Sequence, residues 1–246
     1  ISFLIFNFKL STFDLLDFYT RETETLTNKP VKLLIAASGT GGHLFPAIVI
    51  ANQLKDYHIE WLGVPDRLET KLIPSQYPLH TISVEGFQQK FGVGTFQVLS
   101  RLMGSILQVR HILKEGQFQG LFTTGGYIAA PAIIAARYLG LPVILHESNV
   151  LPGKVTRWFS RLCNVVAIGF EEGTKYLASQ KTVYVGTPVR EEFLSPQSLD
   201  LPIPENVPVI EVVGGSQGAV AINQLVRKCI LLCILLILNT KVYYFI

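Results

Sequence analysis

Between residues 31 and 228 the chain alternates short apolar runs rich in Val and Ile with stretches of helical length. That is the pattern of a parallel sheet whose strands are joined by crossover helices. The runs predict strands at 31–37, 59–63, 80–84, 120–123, 143–146, 165–168, 182–185 and 209–213. Hydrophobicity that is continuous rather than alternating marks strands buried on both faces, so the expected class is α/β, with a Rossmann-like parallel sheet. Most of the runs end at a Gly, a Ser or a polar cluster. Open α/β sheets bind ligands beyond the carboxyl ends of their strands, which makes those junctions the place to look for chemistry.

Two segments fall outside this rhythm. Residues 1–30 open on ISFLIFNFKL, an apolar run broken by Asn7 and Lys9, and continue acidic and polar. The run is too short to span a bilayer and lacks the small-residue cleavage site of a signal peptide, so it reads as an appendage. Residues 229–246 open on the unbroken apolar stretch CILLCILLIL, whose extension Lys241 interrupts. Three readings compete for it: a buried element, a membrane-associating tail, or sequence unrelated to the domain it follows.

Composition narrows the class. With 49% hydrophobic and only 16% charged residues among 246, against a usual charged share of about 25%, the chain is not intrinsically disordered. A net charge of +3 without a concentrated basic stripe argues against a nucleic-acid partner. Cys163, Cys229 and Cys233 are too few and too spread for a disulfide framework or a four-thiolate zinc site, and they fit a reducing compartment.

Three strand-to-helix junctions are rich in glycine. The first, ASGTGGHLFP at 37–46, leads into a helix expected to begin near Pro46, a residue suited to a first helical turn. Its glycines let backbone approach a ligand, and helix N-terminal amides favour an anion such as phosphate. It is not a dinucleotide fingerprint, because Leu44 stands where the third glycine belongs, nor a Walker A loop, because no Lys follows. The second, TTGGYI at 123–128, precedes a helix carrying Ala129, Ala130, Ala132 and Ala135. The third, VVGGSQGA at 212–219, spells the G-x-S-x-G of a hydrolase elbow. A hydrolase of that type needs an acid and a histidine after the serine, and nothing from Gln217 onward is Asp, Glu or His. Ser216 therefore reads as a phosphate-binding hydroxyl.

Two polar junctions complete the set. HESN at 146–149 precedes a basic helix with Lys154, Arg157 and Arg161, and GTPVR at 186–190 offers the planar donor fork of Arg190. The plainer alternatives are a satisfied core histidine at His146 and half of a surface ion pair at Arg190. Residues 87–113 present Phe87, Phe91, Phe96, Leu99, Met103, Ile106 and Ile112 among Lys90, Arg101, Arg110 and Lys114. That composition suits either an anionic membrane surface or an amphipathic core helix after Thr95.

Taken together, GTGGHLFPA at 39–47, TGGY at 124–127, HESN at 146–149, GTPVR at 186–190 and GGSQGA at 214–219 resemble the MurG family over residues 31–228. MurG enzymes are the N-acetylglucosaminyltransferases that convert lipid I to lipid II in peptidoglycan synthesis. The resemblance implies a GT-B architecture of two Rossmann-like domains. The first spans 31–185 and serves the acceptor and the membrane; 186–228 supplies the hinge and the start of an incomplete UDP-sugar domain, followed by an aberrant apolar tail at 229–246. It further implies UDP-GlcNAc contacts at Thr40, Gly41, Gly42, Asn149, Arg190 and Ser216, a general base at His43, and acceptor contacts at Gly125, Gly126 and Tyr127. Implied partners are UDP-GlcNAc, lipid I and an anionic membrane surface at the cytoplasmic face, without nucleic acid, cofactor or metal. Ser148 stands where many members have Gln, and Thr187 where many have Asn. The alternative is an inactive fragment or a non-enzymatic module that binds a lipid diphosphate; an epimerase or dehydrogenase is disfavoured by the failed fingerprint.

Overall fold

The computed structural model describes residues 30–65, 69–84, 94–177, 182–195 and 220–236. Internal contacts divide the chain into two units, Ile1–Leu194 and Ser195–Ile246. The first is built on β1 (Lys32–Ala36), β2 (His58–Gly63), β3 (Leu79–Thr81), β4 (Gly120–Thr123), β5 (Val143–Glu147), β6 (Val165–Ile168) and β7 (Thr182–Tyr184). The seven strands form one sheet in the order β3-β2-β1-β4-β5-β6-β7, parallel at every pairing. The α/β class with a Rossmann-like parallel sheet expected from the sequence is thus observed, with small differences in strand ends. The strand expected at 209–213 lies outside the described residues.

Strand order reverses between β1 and β4, and such a switch point opens a crevice at the carboxyl ends of the strands. Here it sets the first and second glycine junctions side by side. Helices α1 (Gly41–Gln53), α2 (Glu69–Leu72), α3 (Gly94–Glu115), α4 (Ala129–Tyr138) and α5 (Lys154–Phe159) follow in the connections. On one face Leu33, Ile35, Trp61, Phe122 and Ile144 pack with Leu44, Ala47, Ile50 and Ala51 of α1. On the other, Leu34, Ala36, Leu62, Leu121 and Leu145 pack with Val109 and Leu113 of α3 and with Ala132, Ile133 and Ala136 of α4. Successive residues of β1 serve opposite cores, which is why the run is apolar throughout.

One expectation is corrected: α1 begins at Gly41, not near Pro46, which sits inside the helix. Gly39, at φ +103°, turns the chain as soon as it leaves β1, and Thr40 caps the helix with extended backbone. Helical geometry is therefore established before the proline arrives. Lacking an N–H, Pro46 leaves the Gly42 carbonyl without its usual helical donor.

In the second unit, α6 (Val220–Leu236) carries exposed Val220 and Leu225 and runs into the apolar stretch that begins at Cys229.

Candidate functional site

The two glycine junctions interlock through reciprocal bonds. His43 Nδ1 lies 2.7 Å from the Thr124 carbonyl, and the Thr124 hydroxyl donates to the His43 carbonyl at 2.9 Å. Because a carbonyl only accepts, Nδ1 is the donor here, so in the neutral imidazole the lone pair falls on Nε2. Among the described residues Nε2 has no hydrogen-bond partner. Gly125 and Gly126 adopt φ of +88° and +79°, and a Cβ on Gly126 would stand 3.8 Å from Nε2. Glycine here permits the left-handed turn, and a side chain in its place would come into van der Waals contact with the ring. The turn is fixed from beneath: Thr123 donates to the Ala36 carbonyl at 2.7 Å and accepts the Gly125 N–H at 3.3 Å.

Thr40, Gly41 and Gly42 form the start of α1. The Thr40 side chain makes no capping bond, while its carbonyl accepts from His43 and Leu44 at 3.0 and 3.1 Å. The amides of Gly41 and Gly42 have no acceptor among the described residues, and the positive end of the helix dipole is left to an anion.

At the end of β5, His146 is fully buried and its Nε2 donates to the Gly186 carbonyl at 3.0 Å. Burial pushes its pKa below the ordinary histidine value, with His43 acting in the same direction and the Gly186 bond and Glu147 opposing. His146 is thus a neutral tie between β5 and the GTPVR segment, in line with the plainer of its two readings. Glu147 is also buried, and its carboxylate accepts the Asn149 N–H at 3.0 Å, Asn149 Nδ2 at 2.7 Å and the Gly153 N–H at 3.1 Å.

Arg190 is not half of an ion pair among the described residues. Its guanidinium lies over the rings of Phe45 and Phe193, 4.4 and 4.9 Å from their centroids. Phe45 belongs to the first turns of α1, so the stacking brings a cation to the helix that carries His43. Tyr127 stands at the surface beside the glycine pair, 46% exposed, and Asn149 is exposed. Ser216 lies outside the described residues. No group of three or more His, Cys, Asp or Glu residues among those described is placed to hold a metal ion.

Sequence reasoning missed the supports of the site: Thr123 and Thr124, Glu147, and the two aromatic platforms of Arg190. The one local signal was the placement of a threonine pair and an acid at strand ends, where a buried polar group must find backbone partners.

α3 shows two faces. Val109 and Leu113 enter the core, whereas Leu99, Met103 and Leu107, four residues apart, are 57%, 53% and 56% exposed. Arg101 and Lys114 are exposed on the same helix, and Arg110 lies over the ring of Tyr138, itself mostly exposed. Phe87, Lys90, Phe91 and the side chain of Phe96 lie outside the described residues. No helix among the described residues is long and apolar enough to cross a membrane.

Residues 33–168 match the glycosyltransferase family 28 N-terminal domain. The chain belongs to glycosyltransferase family 28. The stretch matched runs from β1 to the end of β6 and includes both interlocked glycine turns. The chain is 90% identical over 219 residues to the UDP-N-acetylglucosamine--N-acetylmuramyl-(pentapeptide) pyrophosphoryl-undecaprenol N-acetylglucosamine transferase of Trichodesmium erythraeum, covering 89% of this chain and 59% of that protein. The protein of the same description from Nostoc is 66% identical over 206 residues, 82% of this chain and 58% of that protein. Among solved structures, Acinetobacter baumannii MurG matches with a TM-score of 0.56 at 28% identity, covering 66% of this chain and 47% of that one. The resemblance carried by the five motifs is borne out, and the chain spans just under three-fifths of the length of these curated relatives.

Proposed function

We propose that this family 28 chain forms the acceptor half of an inverting glycosyltransferase that moves GlcNAc from UDP-GlcNAc to lipid I, making lipid II for peptidoglycan. The observation that carries the reading is His43: its Nδ1 proton is committed to a backbone carbonyl and its Nε2 lone pair faces the junction of two glycine turns. A sugar hydroxyl of the acceptor attacks the anomeric carbon of the donor from the face opposite the leaving group. The new glycosidic C–O bond forms as the bond from that carbon to the phosphate oxygen breaks. The hydroxyl proton passes to Nε2, and the bond pair leaves with UDP. The charge that develops on the departing diphosphate meets the free amides of Gly41 and Gly42 and the guanidinium of Arg190.

In this reading residues 31–185 bind lipid I, with Gly125, Gly126 and Tyr127 against the acceptor; Asn149 contacts UDP-GlcNAc, and 186–228 begin the UDP-sugar domain. The exposed stripe of α3, with Arg101 and Lys114, rests on an anionic bilayer at the cytoplasmic face. The test is to exchange the 219 matched residues into the full-length Trichodesmium relative and follow labelled GlcNAc into a lipid I analogue. Transfer at the rate of the unexchanged relative is expected. Loss of transfer in a folded exchange protein would overturn the proposal in favour of a module that binds without catalysis.

A further inference from the structure

Glu147 is 2% exposed, yet no hydrogen bond to its carboxylate comes from a cation. Three neutral donors converge on it instead: the Asn149 N–H and Nδ2 on Oε1, and the Gly153 N–H on Oε2. Only a group that accepts with both oxygens satisfies this arrangement. A glutamine there would turn its own NH2 against either the Asn149 or the Gly153 N–H. The consequence falls on Asn149, whose side chain has one donating and one accepting end. With Nδ2 committed to Glu147, Oδ1 is the end left over, and among the described residues that oxygen has no partner.

We infer that Glu147 is a positioning residue that sets the polarity of Asn149, so that the site presents a hydrogen-bond acceptor at this point and selects a ligand bearing a hydroxyl or amide N–H there. The inference rests on the reading of Asn149 as a UDP-GlcNAc contact, and a GlcNAc ring carries both kinds of donor. Glu147 itself touches no substrate. Through Gly153, the residue preceding α5, the same carboxylate also holds the start of that helix, so the loop carrying Asn149 is tied at both ends.

The experiment measures UDP-GlcNAc affinity by calorimetry in the exchange protein described above, from about pH 8 down to about pH 5. N149D places a second carboxyl against Glu147. Ionised, the pair repels and the contact is lost, so the variant binds at least about tenfold more weakly than its parent near pH 8. Protonated, the new carboxyl donates its O–H to Glu147 and turns its carbonyl oxygen outward, so the deficit shrinks several-fold toward pH 5. The ionisable groups around the loop are the buried His146, which feels the charges of Glu147 and His43, and the exposed Lys154, Arg157, Glu171 and Glu172 on the neighbouring segments, which solvent screens. All of these are shared with the parent, and the ratio to the parent cancels them. N149A shows a deficit independent of pH, and E147Q combined with N149A binds no more weakly than N149A alone, because Glu147 acts through Asn149. A deficit of N149D that is constant with pH would overturn the inference even if E147Q folds poorly, since N149D alters only an exposed side chain; where E147Q keeps the melting temperature of its parent, losses of E147Q and N149A that multiply would overturn it as well. Failure of the parent to bind UDP-GlcNAc overturns instead the donor reading beneath it.

Discussion

At the carboxyl end of the sheet His43 and His146 bond to backbone carbonyls, those of Thr124 and Gly186. Toward the start of β1 and β2, His58 and His80 bond to the Glu60 carboxylate, which Lys32 joins at 2.6 Å. The same residue type is used in opposite ways. A carbonyl partner fixes the tautomer of an imidazole and leaves its other nitrogen available for proton transfer. A carboxylate partner draws the ring into a cluster of side chains and consumes the interaction in the fold. Burial alone would raise the pKa of Glu60, but hydrogen bonds from Lys32, His80 and His58 outweigh it and hold the group down to about 2. Phe118 closes the cluster, beneath Lys32 and edge-on to His80. One end of the sheet therefore satisfies its charges internally, while the other leaves Arg190, Nε2 of His43 and the α1 amides for a ligand.

The sharpest way to break this contrast is H43A in the exchange protein. Loss of a general base predicts a fall in transfer of about 10²–10⁴-fold, with UDP-GlcNAc affinity little changed and a stability loss of only about 1 kcal/mol, that of the hydrogen bond to the Thr124 carbonyl, because His43 contributes no charge pair to the fold. Turnover within a few-fold of the parent would remove His43 from the base role.

E60Q should do the reverse. The folded pKa of Glu60 lies below its unfolded value of about 4.5, so its contribution is complete above that pH and disappears as pH falls toward about 2. The shift corresponds to at most about 3 kcal/mol, an upper bound because solvent reaches the partners: the side chains of Lys32, His80 and His58 are 26%, 35% and 53% exposed. Urea unfolding of the 246-residue chain is expected to show E60Q less stable by that order near neutral pH and converging with the parent in strong acid. A difference that does not narrow with acidification would mean that packing, rather than the ion-pair cluster, accounts for it.

R190A probes the ligand end with a smaller effect. Arg190 is held by Phe45 and Phe193 rather than by an acid, so its removal leaves no buried charge behind. Donor KM should rise about tenfold or more, the scale of a lost charge-assisted contact, with stability nearly unchanged. A large stability loss would show the stacked arginine to be structural.

Much of this contrast was legible in the chain. The strands were, because burial on both faces writes continuous apolar runs, and so was the placement of His43 at a glycine-rich junction between strand and helix. The start of α1 was not. Pro46 looked like a first-turn residue, but the left-handed backbone of Gly39 had already redirected the chain seven residues before the proline's own preference applied. The roles of Glu147, Phe45 and Phe193 were illegible for another reason. Each depends on a partner or a degree of burial set by the assembled sheet, and a lone acid after His146 carries no mark of either.

The smallest effect belongs to a third region that the sequence left open between core helix and membrane face. The 22-residue α3 is long enough to be both: Val109 and Leu113 pack inward, while Leu99, Met103 and Leu107 stay more than half exposed. Replacing those three by serine removes little buried surface, so the melting temperature should hold. Each apolar side chain entering a bilayer interface contributes on the order of 1 kcal/mol, and together they should lower sedimentation with anionic vesicles by about tenfold or more. The apolar residues at 229–246 are identical in parent and variant, so any membrane binding they confer cancels from the difference. Equal sedimentation would take α3 off the membrane, and a fall in stability would mean that the stripe is covered by protein rather than by lipid.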